Sequence, residues 1–290
     1  MEVSSHKPQP TPIPVQLSET DFQKFILPHL SLPARGPHCK IGYWQAFNFI
    51  LWVLYTGAQW KMIPLPKDAV GKPIIHYTQI YRLFAKWSAD DSLYRAFVAS
   101  VHHLDEANKL DLSILHGDGS NTVAKKGGDL IGYSGHKHQS GQKTLAIVDN
   151  QGYVLAPMTV APVNRSDMVL LPDGIQDLRR IAKTLGLVLS GAILNLDSGF
   201  DSKSNRKHIF NAGMKPNIKE NPRNRQTTKR GRKRLFDADV YALRSQVERT
   251  FAWEDKFRRV ILRFERYAQR HLGFKLLAFT LINLREFCKA

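Results

Sequence analysis

AILNLD, residues 192–197, decides how this chain is to be read. The first five residues are apolar toward both faces except at Asn195, and a strand of that kind belongs inside a sheet covered by helices on both sides. The run ends on Asp197. Upstream, Leu110, Leu112 and Ile114 alternate toward one face, and the stretch 110–117 ends on Asp118. Residues 144–148 and 153–161 read as a hairpin across Asp149-Asn150-Gln151-Gly152. A helix opens at Ser166 or Asp167, is interrupted by Pro172-Asp173-Gly174, and turns Ile175, Leu178, Ile181 and Leu185 inward. Ser202 caps a short helix that Gly213 ends, and residues 214–218 follow as a strand. Three strands, a helix, a strand, a helix and a strand imply an α/β fold, a mixed five-stranded sheet flanked by helices. Asp118 and Asp197 both stand at strand ends, where open sheets tend to place their sites.

Before residue 109 the period is helical. Residues 1–16 carry prolines at 8, 10, 12 and 14 and read as an extended, flexible leader. Residues 17–108 form a small all-helical domain. A capping box at Ser18–Asp21 opens its first helix, and Trp44, Phe47, Ile50, Leu51 and Leu54 mark a second that Gly57 stops. Thr78 caps a third, with Ile80, Leu83, Phe84 and Trp87 inward, and Leu93, Phe97, Val98, Val101 and Leu104 face inward on a fourth. Such a unit permits a helix-turn-helix with residues 77–87 as the inserted element, or equally a cap packed on the following domain.

The chain has 290 residues with 42 Lys and Arg against 25 Asp and Glu, a net charge of +17. A charge of that size points to a polyanionic partner, nucleic acid before an anionic membrane. The apolar runs at 47–55 and 276–284 are too short or too interrupted to span a bilayer, and a polar, proline-rich start is no secretory signal. Cys39 and Cys288 lie in unlike contexts with no metal-ligand spacing, so a reduced, cytoplasmic protein is expected.

Residues 235–256, LFDADVYALRSQVERTFAWEDK, read as one amphipathic helix with Val240, Leu243, Val247 and Phe251 on its inner stripe. Tyr241, Arg244 and Glu248 recur at three and four positions along the flank, which sets a phenol, a guanidinium and a carboxylate side by side. Just before it, residues 221–234 hold seven basic residues, Arg230, Arg232, Lys233 and Arg234 among them, with no acidic or bulky apolar one. That segment reads as a basic mobile arm that meets phosphate. Asp118, Asp197 and Glu248 are the candidates for one carboxylate cluster. Such a cluster suits two divalent ions, magnesium or manganese, which activate a water or hydroxyl and stabilise the leaving oxygen of a phosphodiester. His136 and His138 have no further ligands at a zinc spacing, and their loop, with Lys137 and Lys143, is expected to face DNA. Asp201 reads as a cap or turn residue, and Trp253 as core.

HGDGSN at 116–121, LNLDSGFDS at 194–202 and YALRSQVERTFAWEDKFRR at 241–259 resemble the DDE transposases of bacteria, specifically the insertion-sequence-five family. The family's Tyr-x2-Arg-x3-Glu signature fits Tyr241, Arg244 and Glu248, and residues 47–64 and 81–87 resemble the helical region that precedes its catalytic domain. The likeness covers residues 18–288. It implies an RNase H-like catalytic domain over residues 109–290 in which Asp118, Asp197 and Glu248 are catalytic and bind two magnesium or manganese ions. It further implies cleavage at terminal inverted repeats, transfer of the freed 3′ hydroxyls to target DNA, and a homodimer on double-stranded DNA in the bacterial nucleoid. Tyr241 and Arg244 are then DNA contacts. The family often carries a lysine at the position of Asp255 here, so its DNA contact passes to Lys256, Arg258 or Arg259. A catalytically silent DNA-binding regulator and a structure-selective nuclease on the same fold are the alternatives.

Overall fold

The change of period near residue 109 is a change of architecture in the computed structural model, which describes residues 11–34, 39–221 and 235–289. Four helices come first: α1 Glu19–Phe25, α2 Tyr43–Thr56, α3 Tyr77–Ala89 and α4 Ser92–Glu106. Ser18 caps α1 by accepting the Asp21 N–H at 3.0 Å, and Gly57 ends α2 in the left-handed region at φ 72°, where glycine pays no Cβ penalty. The cap of α3 is the His76 ring rather than Thr78. The inner faces are those expected, apart from Trp44, which is 36% exposed, and Val98 and Leu83, which are only half-buried.

The sheet follows: β1 Ile114–Ala124, β2 Gly132–Ser134, β3 Gln139–Val148, β4 Val154–Pro162, helix α5 Asp167–Leu185, β5 Ile193–Leu196, helix α6 Lys203–Asn211 and β6 Lys215–Ile218. The central order is β3-β1-β5-β6, with β4 on the outer edge of β3. β3 runs antiparallel to both β1 and β4, whereas β5 and β6 run parallel to β1. An antiparallel three-strand meander continued by two parallel strands is the RNase H-like arrangement. The sheet has seven strands rather than five, because β2 and the two-residue β7 Leu262–Arg263 pair at its margins. Strands so short leave no readable alternation.

Alternation along β1 assigns the two faces. Gly119 lies against the Asp167 carboxylate at the start of α5, and Gly174 of α5 lies against Leu145, so α5 covers the face of odd-numbered β1 residues. Pro172 does not interrupt α5 as expected. The Met168 carbonyl, which a proline at 172 cannot bond, accepts the Asn205 side-chain amide at 3.0 Å instead, and the helix runs through.

The opposite face carries α7 Ala238–Ala242, α8 Ser245–Glu254, the short α9 Arg258–Ile261 and α10 Ala268–Leu284. The long helix expected over 235–256 is thus two helices. Leu243, Arg244, Gln246 and Val247 each donate to the carbonyl three residues back, so the chain tightens to a 3₁₀ turn between them. The extra rotation puts Leu243, expected inward, at 40% exposure, while Val247 remains fully buried.

α10 is buried on nearly all sides and joins the two halves of the chain. Phe274 stacks on Phe84 of α3 with ring centroids 4.2 Å apart, and Asn283 bridges Val154 of β4 and Ser100 of α4. The helical unit is therefore packed onto the sheet through a shared core. The expected leader is ordered from residue 11: Ile13 is buried, Leu17 is held by Asn48 and Trp44, and residues 1–10 lie outside the described residues. No helix among the described residues is long and apolar enough to cross a membrane.

Lys275 of α10, 1% exposed, donates to Glu254 of α8 at 2.7 Å, so each buried charge depends on the other. Lys275→Ala is expected to lower the unfolding free energy in urea by about 3–5 kcal/mol. Glu254→Leu combined with Lys275→Met should cost less than either single truncation. A double variant as unstable as the sum of the singles would contradict this reading of the pair.

Candidate active site

Parallel pairing of β1 with β5 ends at Gly117 opposite Leu196. One step further in the same register, Asp118 and Asp197 stand on adjacent strands, roughly 4.8 Å apart in backbone spacing. Asp118 is therefore not at a strand end: β1 continues to Ala124 on its pairing with β3, and the aspartate lies where β5 departs. Its polar continuation, GSNT, hid the strand from an alternation test. Asp197 leaves β5 with extended backbone, φ −64° and ψ 160°, so its side chain continues the face of Asn195 and meets that of Asp118.

The environment of Asp118 is partly desolvated. Burial raises its pKa, opposed by the Gly119 N–H at 2.7 Å and by Arg244, with nearby Asp197 adding to the rise. Arg244 follows from the helix break. Its Nη1 donates to Asp118 Oδ2 at 2.9 Å and its Nη2 to Glu248 Oε1 at 2.7 Å. Burial works against the guanidinium charge, but Asp118 and Glu248 outweigh it and raise the pKa further. Tyr241 lies beside them with its ring 5.3 Å from that of Phe236, and its pKa is raised by burial and then by Asp197.

Two carboxylates, Asp118 and Glu248, thus share one guanidinium, and the charge of Asp197 acts on Asp118 beside them. The donors are all oxygen, which suits magnesium or manganese, and few of them suffice because magnesium keeps much of its water. Among the described residues no three acidic, histidine or cysteine side chains converge into a ready-made ion cage. At this site Arg244 is the cation that Asp118 and Glu248 share. Oxygen donors of this kind suit a divalent ion at Asp118 and Asp197.

The expected DNA contacts divide. Tyr241 and Arg244 are at the carboxylates, and Arg258 and Lys137 are exposed. Three others are engaged inside the protein. Lys256 donates to the Ile13 carbonyl at 2.7 Å, and desolvation lowers its pKa. Arg259 is buried against Glu265 at 2.5 Å, and Lys143 pairs with Asp167 at 3.0 Å. Their ion-pairing or backbone partners lie elsewhere in the sequence, so local composition could not show them. Arg230, Arg232, Lys233 and Arg234 lie outside the described residues. Asp201 is taken up by Arg206 and the Asn221 N–H, as a structural role requires. Trp253 packs at the edge of the core beneath Arg285.

Asn195 and Asn217 were missed as members of the site. The one signal was the buried amide of Asn195 interrupting an apolar strand, and both asparagines prove to hold the backbone that leads into Arg244.

Residues 109–284 match the family described as transposase DDE domain. Among solved structures, the chain is similar to a Mos1 transposase paired-end complex with left transposon end, at 7% identity and a TM-score of 0.27, covering 64% of this chain and 61% of that one. It is also similar to a Mos1 mariner paired end complex with Mn, at 8% identity and a TM-score of 0.26, covering 68% and 64% respectively. The chain thus spans less than two thirds of the length of either. No curated protein sequence matches.

If Arg244 and a divalent ion compete for the same carboxylates, Arg244→Gln should bind manganese about tenfold more tightly by calorimetry without DNA, a difference of ~1.4 kcal/mol. Unchanged or weaker binding would remove Arg244 from that competition.

Proposed function

The chain belongs to the transposase DDE domain family, and on that premise we propose that it cuts the ends of a mobile DNA element and joins the freed 3′ hydroxyls to target DNA. The observation that carries the reading is the β1–β5 register, which stands Asp118 beside Asp197 with Glu248 linked to Asp118 through Arg244.

In this reading Asp118, Asp197 and Glu248 hold two magnesium or manganese ions. When bound, such ions activate a water or hydroxyl and stabilise the leaving oxygen of a phosphodiester. Asp118 and Asp197 are fixed by strand pairing, whereas Glu248, whose side chain is 57% exposed, is free to swing once its arginine leaves. The released guanidinium is placed to grip a phosphate with two parallel N–H bonds. Tyr241, its pKa raised by burial and then by Asp197, is read as a DNA contact that donates its phenol proton to phosphate or stacks on a base. No covalent protein–DNA intermediate is then needed.

The partner is double-stranded DNA, both as terminal inverted repeats and as target, and two ends processed together call for a homodimer on DNA. The net charge of +17 supports a polyanionic partner. On α3, the exposed Arg82 and Lys86 offer phosphate contacts from the helical unit, although Lys86 also reaches the Ser31 carbonyl. Within the family, we read the motifs at 116–121, 194–202 and 241–259 as those of the insertion-sequence-five type and propose that the chain acts in the bacterial cytoplasm.

The test incubates the protein with DNA bearing candidate inverted repeats, in magnesium, manganese or chelator. Metal-dependent cuts at the repeat ends are expected, lost by at least about a hundredfold in Glu248→Gln while DNA affinity stays within about threefold. Cutting that ignores the repeats would favour a nuclease. Binding without any cutting would favour a silent regulator.

A further inference from the structure

Beneath the aspartates, two residues back along the strands, His116, Asn195 and Asn217 stand in register on the same sheet face. All three are buried, at 0%, 0% and 3% exposure. Burying an amide costs free energy unless its donors and acceptor are met. Here they are met largely by the chain entering α7. Asn217 Oδ1 accepts the Asp237 N–H at 2.9 Å and its Nδ2 donates to the Asp237 carbonyl at 3.0 Å, so one side chain pairs with a residue's backbone as a strand would. Asn195 Nδ2 donates to the Val240 carbonyl at 2.7 Å, and its oxygen accepts the Asn217 amide at 3.3 Å. His116 closes the row: its Nδ1 lies 3.3 Å from the Asn195 amide and its Nε2 lies 3.2 Å from the Asn150 oxygen, which assigns the ring proton to Nε2.

The Val240 carbonyl is the one that the Arg244 N–H would take in an unbroken α-helix. Arg244 bonds the Tyr241 carbonyl instead, and Leu243 takes Val240 from three residues away. A side chain that claims a helix carbonyl is a recognised cause of a break. Asp237 is fixed at the other end, where its own carboxylate caps α7 through the Asp239 and Val240 N–H groups at 3.0 Å.

We propose that Asn195 and Asn217 are positioning residues: they clasp the Asp237 and Val240 backbone, break the helix at Leu243-Arg244, and so aim Arg244 at Asp118. The inference rests on the proposed strand-transfer chemistry for its effect on rate, but the clasp is a property of the folded chain alone. An error of about 1 Å in placing a catalytic group costs on the order of a hundredfold in rate.

Two measurements keep the clasp and the function separate. In the full-length protein, Asn195→Ala should raise amide exchange at residues 240–248 by at least tenfold, while residues 274–282 in the core of α10 exchange as in the wild type. Equal protection at 240–248 would overturn the clasp whether or not the protein cuts DNA. In the cleavage assay, the same variant should lower kcat by about a hundredfold with KM for DNA within threefold. In an Arg244→Ala background, it should lower kcat less than threefold further. A kcat unchanged for the folded protein, or a full hundredfold loss repeated in the Arg244→Ala background, would show a stabilising role only and overturn the proposal. Asn217→Ser, which keeps a hydroxyl within the row, supplies the same readouts should Asn195→Ala fail to fold, with an intermediate loss expected. If the wild type cuts nothing, the functional reading fails while the exchange measurement still decides the clasp.

Discussion

Parallel pairing of two short strands governs everything else in this molecule. β5 has four residues, Ile193–Leu196, and each is paired on one side with β1 and on the other with β6. In a sheet covered on both faces, a slip of one residue would turn Leu194 and Leu196 away from their side of the core and bring Asn195 into it. The register is therefore held by burial across the sheet rather than by any contact within the site. Asp118 and Asp197 inherit their adjacency from it. They are placed by a core that gains its stability elsewhere, which is why two like charges can be kept as neighbours.

Helix placement supplies what the strands cannot. A third carboxylate and a compensating cation arrive from α7 and α8, on the face opposite α5, and they reach the aspartates because the chain breaks at Leu243-Arg244. The resulting cluster is electrostatically incomplete: three carboxylates face one guanidinium. Arg244 stabilises the cluster as it stands, and in the proposed mechanism it gives way when a doubly charged ion is gathered. Exchange of one cation for another, with the displaced arginine then available to phosphate, links ion binding to DNA binding through a single side chain.

Much of this was legible in the residues, and the gaps have physical causes. The strand at 192–197 and the aspartate that ends it were plain because burial on both faces demands an unbroken apolar run. Asp118 was found but misplaced at a strand end, since Gly119–Asn121 pair through backbone and carry no apolar alternation. The 235–256 helix was read as continuous because its 3.6-residue pattern survives a single tightened turn. What breaks it is Asn195, more than forty residues earlier, which no local pattern can reveal. The same holds for Lys256, Arg259 and Lys143, whose partners Ile13, Glu265 and Asp167 are set by the tertiary fold. Pro172 looked like a helix breaker because the side chain that satisfies Met168 belongs to another helix.

The account stands on one site formed by three carboxylates from two strands and a helix. Anomalous diffraction from crystals of the protein with a repeat-end DNA duplex and manganese addresses it most directly. Peaks about 2.0–2.3 Å from the carboxylates of Asp118 and Asp197, with Glu248 drawn in and Arg244 moved off Asp118 to a phosphate, are the result expected. Manganese bound elsewhere, with Asp118 and Arg244 still paired in the presence of DNA, would contradict it.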